Sequence, residues 1–260
     1  MIDLSPFQMG VLGSLLAGLA TALGAVPLLF FERVSDRTQN VMLGFSACVM
    51  LAASFFSLLL PGLESAQALG FGRYGAVGVV IFGVLAGAVV LSLVHRYAPH
   101  EHFVLGREGP LAERVRRIWL FVIAITLHNF PEGLAVGVGF GGGDVKQGTA
   151  LAIGIGMQNI PEGLAVAVAL MGLNYSKAQA FLIVLLTGLV EPLGGVLGAG
   201  ALAMGASLLP WGLAFAAGAM IFVISDEIIP ETHRPGFTGN GTAGLMVGFV
   251  VMMFLDVALG

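Results

Sequence analysis

His128-Asn129-Phe130-Pro131-Glu132-Gly133-Leu134-Ala135-Val136 is repeated, at an offset of 30, as Gln158-Asn159-Ile160-Pro161-Glu162-Gly163-Leu164-Ala165-Val166. Each copy sets a carboxylate beside a proline inside a long apolar stretch, and the rest of the chain is more apolar still. Of its 260 residues 57% are hydrophobic and 10% charged, with a mean hydropathy of +0.97. A soluble domain is nearer a quarter charged. No charge falls between Asp3 and Glu32, between Asn40 and Leu63, or from Thr238 to Leu255, and Lys177 to Asp226 contains only Glu191. About 20 apolar residues carry a helix across the hydrocarbon core. The class is therefore an all-α polytopic membrane protein. The 39 glycines fit that class, because small residues let helices approach closely in lipid.

Eight transmembrane helices are expected at about 8–31, 39–61, 74–96, 117–140, 148–172, 179–204, 209–230 and 241–259, forming a single transmembrane domain over 1–260. An even count puts both termini on one side of the bilayer. With both termini outside, Arg33, Arg37, Arg96, Arg107, Arg114, Arg116, Arg117, Lys177 and Arg234 are cytoplasmic, and only Arg73 and Lys146 are external. Basic residues favour the cytoplasmic side, so both termini are assigned outside, in the periplasm if the membrane is a bacterial inner membrane. The single cysteine, Cys48, excludes a disulfide framework and a cysteine metal cluster. The N-terminus lacks the basic residues of a secretory signal, and nothing points to a nucleic-acid partner.

The paired nonapeptides lie in the fourth and fifth spans, which run in opposite directions. A fainter repeat relates Gly44–Met50 in the second span to Ala214–Met220 in the seventh, each followed by a proline, Pro61 or Pro230. Inverted repeats around a midplane site are a common transporter plan.

Glu132, Glu162 and Glu191 sit deep in predicted spans, where translocon scales place a charged residue at about +2.5 to +3.5 kcal/mol. No Lys or Arg lies deep enough to pair with them, and a bound cation would neutralise them instead. His128 and Glu132 are one helical turn apart and share a face, with Asn129 beside them; Gln158, Asn159 and Glu162 repeat the arrangement. Each internal proline frees a backbone carbonyl four residues earlier, at Leu127 and Met157. His128, Gln158, Glu191 and Met50 share one depth in four spans. Imidazole with carboxylate suits zinc and its neighbours, whereas magnesium or calcium would want oxygens alone. The set exceeds what one tetrahedral ion needs. Taken singly, Met50 reads as core packing, and Asn159 as a partner for freed backbone groups. Toward the cytoplasm, His95, His100, His102, Asp226, Glu227, Glu231 and His233 form either a solvated fringe or an exit path. Glu64 and Asp256 on the outer side are either interfacial carboxylates or an entrance.

These residues resemble the ZIP (Zrt/Irt-like) family of metal transporters, in its prokaryotic GufA-like branch. The resemblance covers nearly the whole chain and is carried by His128-Asn129-Phe-Pro-Glu132-Gly, Gln158-Asn159-Ile-Pro-Glu162-Gly, Glu191-Pro192-Leu-Gly, Met50, and Asp226-Glu227-Ile-Ile-Pro-Glu231-Thr-His233. It implies import of zinc, and of related ions such as cadmium, iron(II) and manganese, by a 3+2+3 fold whose outer triplets are inverted repeats. It also implies a homodimer and an elevator-like motion of spans one, four, five and six. By the same resemblance one ion takes Met50, His128, Glu132, Gln158 and Glu162. A second takes Asn129, Asn159 and Glu191, with Glu132 and Glu162 bridging. The chain departs from the pattern at Asn159, where an aspartate is expected, and at Asp226, where a histidine is expected.

The chain lacks a P-loop and does not read as an ATPase or as another enzyme. Two alternatives stay open on sequence: an intramembrane metal-dependent hydrolase, against which stands the absence of His-Glu-x-x-His, and a metal-selective channel built from the same ligands.

Overall fold

The computed structural model describes residues 4–30, 34–97, 111–229 and 238–259. Among them every regular element is helical. Eight helices are long and apolar enough to cross a bilayer: Pro6–Phe30, Arg37–Ala68, Arg73–Val94, Phe121–Gly141, Val145–Met171, Lys177–Met204, Ala206–Asp226 and Gly239–Ala258, here called spans one to eight. Polar caps start several of them. Ser35 accepts the Thr38 amide, Asp144 accepts the Gln147 amide, and Ser176 forms a capping box with Gln179. Each satisfies donors that the first helical turn leaves open.

Prolines inside the spans have different outcomes, for local reasons. Pro131 and Pro161 sit inside continuous helices. The sixth span instead breaks at Leu189–Val190 and restarts at Glu191. Pro192 cannot donate to the Gly188 carbonyl, and its ring crowds that turn; the first half-helix ends at Gly188. The second span continues as helix past Pro61 to Ala68, beyond its expected end. The carbonyl that Pro61 frees belongs to Ser57, and the Gln147 side chain donates to it at 3.1 Å. That bond replaces the missing backbone one.

Spans two and seven each contain a wide turn with i to i+5 hydrogen bonds, at Ser54–Leu59 and Ile224–Ile228. One begins four residues after Met50 and the other four residues after Met220, so the faint sequence repeat between these spans has a structural counterpart. Such turns interrupt regular helices mainly where function tolerates irregularity.

Helix pairing is set by glycine. Span one packs on five, four on six, two on eight and three on seven. At each pairing a Cβ added to glycine would strike the partner's backbone: Gly163 faces the Thr21 carbonyl, Gly133 the Glu191 carbonyl, Gly244 the Val41 carbonyl and Gly218 the Val84 carbonyl. Gly18 and Gly188 do the same between spans one and six. Spans one, four, five and six are thus closed on one another backbone to backbone. Glycines facing from this group toward the others, or back, meet only side-chain ends: Met252 at Gly154, Leu209 at Gly142 and Val138 at Gly212. A seam of mainly side-chain contacts therefore runs between this group and the other four spans, crossed by the Gln147 bond to the Ser57 carbonyl.

Gly163→Val is expected to lower stability by about 1–3 kcal/mol, the range for overpacking a tight contact, because a backbone carbonyl cannot move aside. Gly78→Ala, at a position open on all sides, is expected to be neutral or slightly stabilising. Thermal unfolding of the two purified variants in detergent checks the contrast.

Candidate metal centre

The fourth and fifth spans place their repeated segments face to face in the middle of the bundle, and the break in the sixth span brings Glu191 to them. His128, Asn129, Glu132, Gln158, Asn159, Glu162 and Glu191 are all at most 1% exposed. One ligand atom each from His128, Glu132 and Glu162 lies within 4.8 Å of the others, and His128 Nε2 is 3.7 Å from Glu132 Oε1. Glu132 is also within electrostatic reach of Glu162 and Glu191. Glu191 starts the second half-helix of its span, where the positive end of the helix dipole favours a carboxylate.

The amides orient the rest. Asn129 Nδ2 donates to the Thr187 carbonyl at 3.0 Å, just before the sixth-span break. Asn159 Nδ2 donates to the Ala17 carbonyl at 2.9 Å and to Glu191 Oε1 at 2.6 Å. Gln158 Nε2 donates to Glu132 Oε1 and, at 3.3 Å, to Asn159 Oδ1. An amide has one acceptor end and one donor end. With the nitrogens committed to backbone and carboxylate, the oxygens turn inward. Asn129 Oδ1, Glu132 Oε2, Gln158 Oε1 and Glu191 Oε2 are buried without a hydrogen-bond partner among the described residues. Buried acceptors of this kind are rare, because each lost hydrogen bond costs about 1–3 kcal/mol. Two are amide oxygens and two belong to the carboxyl groups, and among the described residues no Lys or Arg lies beside them. That is the electrostatic complement of a cation.

Other sequence candidates are dispersed. Met50 is fully buried in the main apolar cluster, with Leu58, Leu151 and Ile155 among its members. Asp256 is partly buried and accepts from Ser57 Oγ at 2.6 Å. Glu64 is exposed, two turns beyond Ser57. Asp226 is exposed within the wide turn of span seven. His100, His102, Glu231 and His233 lie outside the described residues, as do the side chains of His95 and Glu227.

Three site neighbours were not singled out from sequence. Ser46 donates to Glu162 Oε1 at 2.6 Å. Thr21, buried in span one, stands beside Glu191. Ser57 holds Asp256. The only signal available was a hydroxyl inside an apolar run, which most such residues spend on their own helix.

The family profile described as ZIP Zinc transporter matches residues 99–256. The chain is 48% identical over 251 residues to the zinc transporter ZIPB of Bordetella bronchiseptica, covering 96% of this chain and 81% of that protein. The chain belongs to the ZIP family of zinc transporters. It is also 47% identical to the zinc transporter GufA of Myxococcus xanthus, over 96% of this chain and 99% of the relative. To the zinc transporter ZIP11 of Homo sapiens it is 36% identical across 98% of each. ZIP membership makes this an integral membrane zinc transporter and not an enzyme, which removes the hydrolase reading. In the ZIP chain described here, zinc is cargo.

The Asn129 amide predicts a structural cost separate from any ligand role. Asn129→Asp keeps an oxygen facing the site but removes the donor to the Thr187 carbonyl. It is expected to lower stability by about 0.5–1.5 kcal/mol, as is Asn129→Ala, because the Val190 amide still donates to that carbonyl at 3.3 Å. Thermal unfolding of both variants without added metal checks this; an unchanged midpoint in both would show that the Val190 amide alone satisfies the Thr187 carbonyl.

Proposed function

We propose that this chain carries zinc into the cytoplasm through the buried centre formed by His128, Glu132, Glu162, Gln158, Asn129, Asn159 and Glu191, with Met50 as a further ligand. The observation that carries the reading is the convergence of His128, Glu132 and Glu162 on one small volume that no Lys or Arg neutralises. Imidazole and carboxylate are preferred zinc ligands; cadmium, iron(II) and manganese are secondary cargoes accepted by the same donors. Two ions can share the centre. One uses Met50, His128, Glu132, Gln158 and Glu162. The other uses Asn129, Asn159 and Glu191, with Glu132 and Glu162 bridging. Asn159 is neutral and its nitrogen is tied to Ala17 and Glu191, so the second position is the weaker.

Ions enter past Glu64 and Asp256, and the ligands replace their water. Release follows toward Asp226, Glu227, Glu231 and the histidines His95, His100, His102 and His233. Binding requires deprotonated ligands, and protonation of Glu132 or Glu162 aids release. The bias of nine basic residues against two supports both termini outside, in a bacterial inner membrane. The matched wide turns of spans two and seven support a 3+2+3 inverted repeat. The side-chain seam around spans one, four, five and six supports an elevator-like movement of that group against the rest. Rigid pieces joined by backbone contact slide more easily along a surface of side-chain ends. The working unit is a homodimer of one-domain protomers.

Zinc uptake into proteoliposomes tests the reading. Uptake is expected to saturate with zinc concentration, as it would not in an open channel. Glu132→Ala and Glu162→Ala are each expected to reduce it to the level of protein-free vesicles. Wild-type rates in both variants would refute the site.

A further inference from the structure

Most hydroxyls inside the spans are spent on their own helix. Ser14, Ser54, Thr126, Thr149, Thr187 and Ser225 each donate to a backbone carbonyl three or four residues back, the default for Ser and Thr in helices. Ser46 does not follow them. It is fully buried in span two, and its hydroxyl reaches across to span five to donate to Glu162 Oε1 at 2.6 Å. That distance is typical of a charge-assisted O–H···O bond. It is also a polar bond across the seam, because Ser46 belongs to the helices outside the group of spans one, four, five and six.

We infer that Ser46 is a positioning residue that sets ion preference by holding one oxygen of Glu162 away from the cargo. The inference rests on the reading of Glu162 as a ligand under the proposed function. A carboxylate whose first oxygen is engaged by a hydroxyl meets the cargo, whether one ion or a bridged pair, through its second oxygen. One oxygen per carboxylate suits zinc, which is satisfied by four compact ligands at about 2.0–2.2 Å. Two free oxygens suit ions that take more oxygen ligands in looser geometry, manganese among them. Removing the Ser46 hydroxyl releases Glu162 to rotate and to bind through both oxygens. Zinc then loses a fixed ligand and manganese gains a bidentate one. Hydrogen-bond partners of metal ligands commonly contribute 10- to 100-fold in affinity.

The test is zinc uptake into proteoliposomes with manganese as competitor. Ser46→Ala is expected to raise the half-saturating zinc concentration about tenfold while leaving the maximal rate within about twofold. The manganese-to-zinc ratio for half-inhibition should fall by a similar factor. Ser46→Thr, which keeps the hydroxyl, should restore both values. A general packing defect would lower the maximal rate and leave the ratio alone. If Ser46→Ala fails to accumulate, Ser46→Cys, with similar volume and a weak donor, is expected to shift the same ratio in the same direction. The inference is overturned if the ratio and half-saturation stay at wild-type values, or if the threonine variant behaves like alanine. Glu162→Ala in the same assay separates the two levels. If it is inactive while Ser46→Ala is unchanged, only the role of Ser46 is lost. If Glu162→Ala transports normally, the site reading falls with it.

Discussion

Three carboxyl groups buried in the middle of the bundle, with no Lys or Arg among the described residues to meet them, are the constraint on which the rest of this molecule depends. Glu132, Glu162 and Glu191 are each at most 1% exposed. In hydrocarbon such groups are tolerated only where protein or cargo surrounds them. The bundle surrounds them with amides. Asn129, Asn159 and Gln158 contribute their nitrogens to carbonyls and carboxylates, which fixes the direction in which their oxygens point. The result is a concentration of buried acceptors that suits a cation.

Building such a centre from helices disturbs them at proline, and at two of these places a distant side chain donates to a nearby carbonyl. Pro192 ends one half-helix at Gly188, and Asn129 takes up the Thr187 carbonyl one residue before. Pro61 frees the Ser57 carbonyl, and Gln147 from span five fills the place of the missing N–H. Glycine does the complementary work. By removing every atom between Gly133 and the Glu191 carbonyl, it brings the fourth span close enough to the broken sixth for their carboxyl groups to interact. Proline and glycine here determine which carbonyls, and which helices, lie next to the glutamates.

Much of this was legible in the sequence because membrane helices announce themselves by length and apolarity. The Asn-x-Pro-Glu-Gly pair marked the fourth and fifth spans as the centre, and Glu191 stood out as the one charge in a long apolar run. What could not be read was where a side chain spends its hydrogen bond. Ser46 and Ser54 look alike in sequence, yet one holds Glu162 and the other bonds to its own helix. Pro131, Pro161 and Pro192 also look alike, but only at Pro192 does the helix stop, with Asn129 waiting for the released backbone. The wide turns and the continuation of span two to Ala68 likewise depend on partners distant in sequence. The seam was hidden for the same reason: 39 glycines read as 39 small residues until their neighbours are known.

The absence of Lys and Arg from the centre has an electrical consequence for the proposed transport cycle. Neutrality there is decided by counting what is bound. One divalent ion and one proton cancel three ionised carboxylates, and a membrane potential does no work on an assembly so loaded, whichever side it faces. Any other loading leaves charge on the helices themselves. Each such elementary charge, carried across the full potential, exchanges about 2.3 kcal/mol per 100 mV with the membrane field. The glutamate arrangement therefore links the number of ions and protons taken up to whether voltage assists, opposes or ignores the cycle.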